Sequence, residues 1–219
     1  MHIAIILLVG IAVAGTVWYF QPRNRIKRQL RGARALRIAE LGDGQAGRVI
    51  GRARVLEQTL EAPLSGRACV FYIARVEERR SSGKHSYWRT IISEQHGVPF
   101  VLEDDSGYAI VDATAAQIAL DFDARSSSGT FDDPTPAETA FLERHGRSGT
   151  GWFFNRTLRY REAVIGEGET IAVLGAGTRE PDPAAAPTAA YRGEPPTRLR
   201  LTSSPRYPLV ISDDPDTTR

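Results

Sequence analysis

The chain has 219 residues, 42% apolar and 25% charged, with a formal net charge of +2, which is the composition of an ordinary globular chain of one domain or slightly more. A single cysteine excludes an internal disulfide framework and any Cys-built zinc finger, RING or zinc ribbon; the four histidines, at positions 2, 85, 96 and 145, lack metal-ligand spacing. The near-neutral total conceals an asymmetry: residues 21–60 hold ten Arg or Lys against three Asp or Glu, and residues 61–219 hold 18 against 23.

Residues 1–22 read as a transmembrane anchor. Ile3 to Phe20 is a run of 18 residues without a charge. As a helix it spans about 27 Å, close to the thickness of a hydrocarbon core. Trp18 and Tyr19 stand at its end, where amphipathic rings prefer the headgroup region. Arg23, Arg25, Lys27 and Arg28 follow at once, so the positive-inside rule places the amino terminus outside and the rest in the cytoplasm. A cleaved signal peptide, with Ala12-Val13-Ala14 as its site, is the rival reading. Its charge would precede the apolar run, whereas here the charge follows. The same basic run abuts a span, so its expected partner is anionic lipid and not nucleic acid.

Residues 23–41 place Ile26, Leu30, Ala33, Leu36 and Ile38 at near-helical spacing, which predicts a basic juxtamembrane helix that Gly42-Asp43-Gly44 ends. A β domain is expected over residues 42–178. Its predicted strands are Arg48–Val55, with Gly51 as a bulge, then Ala68–Glu78, Trp88–Glu94, Val98–Glu103, Tyr108–Asp112, Leu158–Ile165 and Thr170–Leu174. Ala62 to Gly66 reads as a turn, Arg79 to Tyr87 as a polar hairpin loop, and residues 121–135 as an acidic, Ser/Gly-rich loop. Pro136 to His145 is a predicted helix, with Pro at its start and Gly146 beyond its end. Residues 179–219 form a Pro/Ala-rich segment with two short strands, Arg198–Thr202 and Leu209–Ser212, that return to the sheet before an acidic tail. Short strands with one helix after the anchor indicate a mainly β fold, a small barrel or sandwich.

Paired carboxylates carry acid/base chemistry when burial separates their pKa values. Glu103-Asp104-Asp105, however, precede Ser106-Gly107 in a tight-turn signature, which turn chemistry explains. His85 or His96 with a loop serine would suit a hydrolase, yet no nucleophile elbow accompanies them. Cys69 alternates into a strand beside Phe71, the setting of an inert core thiol. No catalytic residue, metal or cofactor is expected.

Several segments resemble one family in order and spacing: Gly44–Gly51, Ala62-Pro63-Leu64-Ser65-Gly66 running into Cys69–Tyr72, Phe100–Gly107 with Glu103, Asp104 and Gly107, Arg161-Glu162 through Gly166, and Val173–Gly175. Together they resemble the GIDE domain, also called BAM for "beside a membrane". The resemblance covers residues 36–178, and Ala-Pro-Leu-Ser-Gly is its most specific piece. Mitochondrial ubiquitin ligases of this family carry the domain between two spans and before a RING. One cysteine cannot supply RING ligands, and the longest late apolar run, Pro208–Ile211, is too short for a second span. The resemblance therefore implies a membrane-proximal β domain that binds a protein or ligand, and not ligase activity. A hydrolase and an envelope protein with its domain outside are the alternatives.

Overall fold

In the computed structural model the described residues are 22–83, 85–128, 133–147, 157–183 and 196–219. The predicted span at residues 3–20 lies outside them, as does most of the Pro/Ala-rich segment. Among the described residues no helix is long and apolar enough to cross a membrane. In chain order the elements are α1 (Pro22–Gly32), β1 (Ala35–Leu36), β2 (Ala46–Val55), β3 (Leu60–Glu61), β4 (Ala68–Cys69), β5 (Phe71–Ser82), β6 (His85–Gly97), β7 (Phe100–Asp104), β8 (Gly107–Val111), β9 (Gln117–Ala119), β10 (Ala124–Ser128), α2 (Pro136–Arg144), β11 (Leu158–Ile165), β12 (Thr170–Pro181), β13 (Thr197–Thr202) and β14 (Val210–Ser212). Single 3₁₀ turns occupy Ile38–Glu40 and Ala113–Ala115.

Five strands close on themselves. β2 pairs antiparallel with β7, β7 with β8, β12 with β13, and β12 again with β2, while β8 and β13 run parallel. Numbered along the chain, the barrel order is 1-2-3-5-4-1, the Greek-key connectivity of an OB-type barrel. Alternation drives Val49, Ala53, Phe100, Leu102, Ala109, Val111, Ile171, Val173, Leu199 and Leu201 into its interior. Closure removes the free edges that an open sheet would leave.

Gly51, expected as a bulge, sits inside an unbroken β2 opposite Ile171. A Cβ there would approach the Glu103 carbonyl oxygen at 2.5 Å, so the position answers a close backbone approach between barrel strands.

Two excursions from the barrel build a second sheet, in the order β10-β11-β5-β6. The first, between β2 and β7, contributes the long β5–β6 hairpin; the second, between β8 and β12, contributes β10, α2 and β11. Arg79–Tyr87, expected as a loop, is mostly ladder: β5 continues to Ser82 and β6 begins at His85. The expected loop at 121–135 contains strand β10, paired with β11 from Ala124 to Ser128. One face of this sheet carries Tyr72, Ala74, Val76, Leu158 and Tyr160, covered by Phe141 and Leu142 of α2. Helix α2 starts with a capping box in which the Thr135 side chain accepts the Glu138 N–H and Glu138 accepts the Thr135 N–H.

The basic helix is shorter than predicted, ending at Gly32. Leu36 pairs in β1 with Val49, and Ile38 enters the barrel core. Ile26 and Leu30 of α1 pack on Ala119, Ala172 and Val210 of the barrel wall, so this helix is bound to the domain by its apolar stripe. The two carboxyl-terminal strands return as expected: β13 closes the barrel, and β14 lies beside β12.

Candidate interaction surface

One group of the expected residues, Ala62 to Gly66, meets the buried carboxylate of Glu162. Ala62 to Gly66 forms the turn between β3 and β4, with Gly66 at a φ of 69° that favours glycine. Across from it, Glu162 of β11 is 1% exposed. Its Oε1 accepts the Leu64 N–H at 2.8 Å and its Oε2 the Ser65 N–H at 3.1 Å. The Ala62 N–H donates to the Arg67 carbonyl at 2.9 Å, closing the turn that Pro63 presets. Glu162 and the Ala-Pro-Leu-Ser-Gly segment, 97 residues apart at Ser65, are thus one structural unit.

Asp104 holds a different joint. It accepts the N–H groups of Ile38 at 2.8 Å, Ser106 at 2.7 Å and Gly107 at 3.1 Å, and the Ser106 hydroxyl at 2.7 Å. Partial burial alone would raise its carboxyl; the Ile38 and Ser106 donors outweigh that and hold it below the ordinary carboxylate value. Glu103 pairs with Arg54 on the surface. Gly166 donates its N–H to Glu169, and Gly175 opposes Gly47 in the β12–β2 ladder.

Tyr72 donates its phenol to Glu94 at 2.6 Å, and Glu94 also takes Arg144 at 2.8 Å and His145 at 2.7 Å, which ties α2 to the hairpin. Burial and then the bond to Glu94 push the Tyr72 phenol up. Of the predicted membrane-flanking residues, Arg25 is exposed, Arg28 has a partner, Lys27 is ion-paired with Asp214, and the Arg23 side chain lies outside what is described.

The histidines do not meet. His85 and His96 stand at opposite ends of β6, about 36 Å apart along an extended strand. His96 lies beside the Tyr72 ring, and His85 pairs with Ser82 at the hairpin tip. Among the described residues no group of three His, Cys, Asp or Glu side chains is placed to hold a metal ion.

Two further features, the first of them on the Arg79–Tyr87 segment expected as a contact surface, reach solvent. The first is the hairpin tip. β11 covers β5 only as far as Glu78, so the pairs from Arg79–Trp88 to Ser82–His85 run on as a two-stranded ribbon. Tyr87 is 53% exposed and Trp88 37%, with Arg79, Arg80 and Arg89 around them. An isolated ribbon is marginally stable, and Tyr, Trp and Arg are the side chains that dominate binding hot spots.

The second lies where the sheet leaves the barrel. The face that packs Phe71, Ile73, Ala163 and Ile165 into the barrel core continues outward as arginines. Register sets Arg161 directly between Arg125 and Arg75, and sets Arg159 against Glu77. The Phe122 ring lies under Arg161 at 4.0 Å and Arg75 at 5.4 Å, and Arg159 lies over Trp88 at 4.2 Å. Glu77 pairs with Arg159 at 2.6 Å and reaches Arg161 at 3.8 Å. Burial lowers the Arg161 pKa; Glu77 opposes this, and Arg125, Arg159 and Arg75 reinforce it. The sequence signal for this face is the alternation Arg75-x-Glu77-x-Arg79 and Arg159-x-Arg161, which a reading centred on motifs passes over.

The family model for GIDE, described as E3 ubiquitin ligase, matches residues 72–188. That interval takes in β5 to β12, including the hairpin, the arginine face and Glu162. No curated relative and no solved structure gives a significant match. A match over more than half of the chain, on the residues that build this second sheet and much of the barrel, shows that the chain belongs to the GIDE family.

Proposed function

We propose that this chain is a membrane-anchored interaction module: residues 3–20 hold the domain beside a bilayer, and the β5–β6 tip engages a protein partner on the cytoplasmic side. The observation that carries the reading is the projecting ribbon with Tyr87 and Trp88 exposed at its end. Tyr and Trp offer large, rigid contact area that loses little conformational entropy on binding. The apolar run and the arginines after it support the anchor and its orientation. Ligase activity is not part of the proposal, because one cysteine does not furnish a RING.

The test is a photo-crosslinking amino acid at position 87 of the full-length chain in its native membrane, with position 57, on the barrel side, as control. A discrete protein adduct from position 87 that Trp88→Ala abolishes is the expected result. Adducts with lipid alone, or an adduct equally strong from position 57, overturn the reading. Protease added to intact cells must leave the domain whole; digestion there places it outside and favours the envelope alternative.

A further inference from the structure

The protein contact proposed above uses the hairpin tip and leaves Arg75, Arg125 and Arg161 unassigned. Like charges directly opposite one another in an antiparallel sheet are destabilising, yet Arg161 stands between Arg125 on one neighbouring strand and Arg75 on the other. Among the described residues neither Arg75 nor Arg125 forms an ion pair, and Glu77, the acid closest to Arg161, is already engaged by Arg159. The Nε of Arg161 is buried and has no hydrogen-bond partner. A buried donor without an acceptor is a place where a water or an ion belongs. The Phe122 ring lies against two of the guanidinium groups and holds them together on one side of the sheet. Planar guanidinium groups set side by side by the strand register match an oxyanion with several acceptor oxygens.

We propose that Arg75, Arg125 and Arg161, with Phe122 as floor, form a binding site for a phosphate monoester, the group borne by a free phosphorylated small molecule or by a phosphatidic-acid headgroup. One dianionic phosphate offsets most of the three positive charges. Arg159 acts through Glu77 and Trp88, holding the row from the side, and is a positioning residue.

The experiment uses the full-length chain in a neutral, phosphate-free detergent. One arm titrates inorganic phosphate and glycerol 3-phosphate by calorimetry at fixed ionic strength. A second arm counts phosphatidic acid against phosphatidylcholine bound in native mass spectrometry. Saturable binding in either arm supports the site, and the arm that saturates at the lower concentration identifies the source. Arg125→Gln, on an edge strand and exposed, tests the assignment without threatening the fold. Together with Arg75→Gln it weakens binding about tenfold or more per lost guanidinium, with the thermal unfolding curve and the position-87 adduct retained. Absence of saturable binding in both arms, binding unchanged in the double variant, or a single-stranded oligonucleotide outcompeting the monoester overturns the proposal. Loss of the position-87 adduct in wild-type chain, with phosphate binding intact, counts against the hairpin reading alone.

Discussion

Glu162 accepts the backbone N–H groups of Leu64 and Ser65 from a side chain with almost no exposure to water. The turn at Ala62–Gly66 therefore has its donors satisfied by a residue of the second excursion, and the first excursion is held against the second through it. Replacing Glu162 by Ala strands both donors, with an expected loss of about 2–4 kcal/mol. Glu162→Gln keeps a carbonyl acceptor and loses less. Denaturant titration of both variants separates the two; equal losses would mean that packing volume, not hydrogen bonding, sets the effect.

Gly51→Ala is expected to destabilise by about 1–3 kcal/mol, because the new methyl group meets a backbone oxygen that a rotamer change cannot move. Thermal unfolding checks it. A neutral result would show that β2 and β7 separate at little cost.

Asp104 has a folded pKa below its unfolded value of about 3.9. Its contribution to stability is complete above that unfolded value and is lost as pH falls through the depressed folded one. Unfolding free energy measured between pH 5 and 2 should thus fall less steeply in Asp104→Asn than in wild type. Parallel curves would remove Asp104 from the acid response.

Cys69 is buried, and burial, with the Glu162 charge adding to it, pushes its thiol up to about 11. A maleimide at pH 7.5 should leave it unmodified in the folded chain and label it after denaturation. Rapid labelling of the native chain would mean that the β3–β4 turn opens freely.

Much of the secondary structure is legible because period-two alternation and the Pro-start, Gly-stop helix signals are local. Leu158–Ile165 and the Pro136 helix lie where those signals put them. The hairpin end reads as a loop in sequence because both faces of a projecting ribbon meet water, so Arg79–Tyr87 carries no alternation to detect. Strand β10, Ala-Arg-Ser-Ser-Ser, contains no β-branched residue and exists through its ladder to β11. The apolar period of residues 24–40 was helical only to Gly32; beyond it, Leu36 and Ile38 answer to the barrel. The Ala62–Gly66 turn and Glu162 are each visible in sequence, but only tertiary contact joins them. The arginine face arises from register across three strands, information that no single segment holds.

The packing of α1 against β14 and the residues after it has a consequence for synthesis. Lys27 is ion-paired with Asp214, Arg31 meets Asp216 at 2.5 Å, and the Arg48 guanidinium donates to the Thr217 carbonyl at 3.4 Å. Helix α1 and strand β2 wait for residues made much later, and β13, which completes the ring, emerges after residue 196. A ribosome must therefore release nearly the whole domain before the barrel can shut. Until then β8 and β12 expose open edges, and a stall between residues 181 and 197 leaves a nascent chain prone to pair with its neighbours.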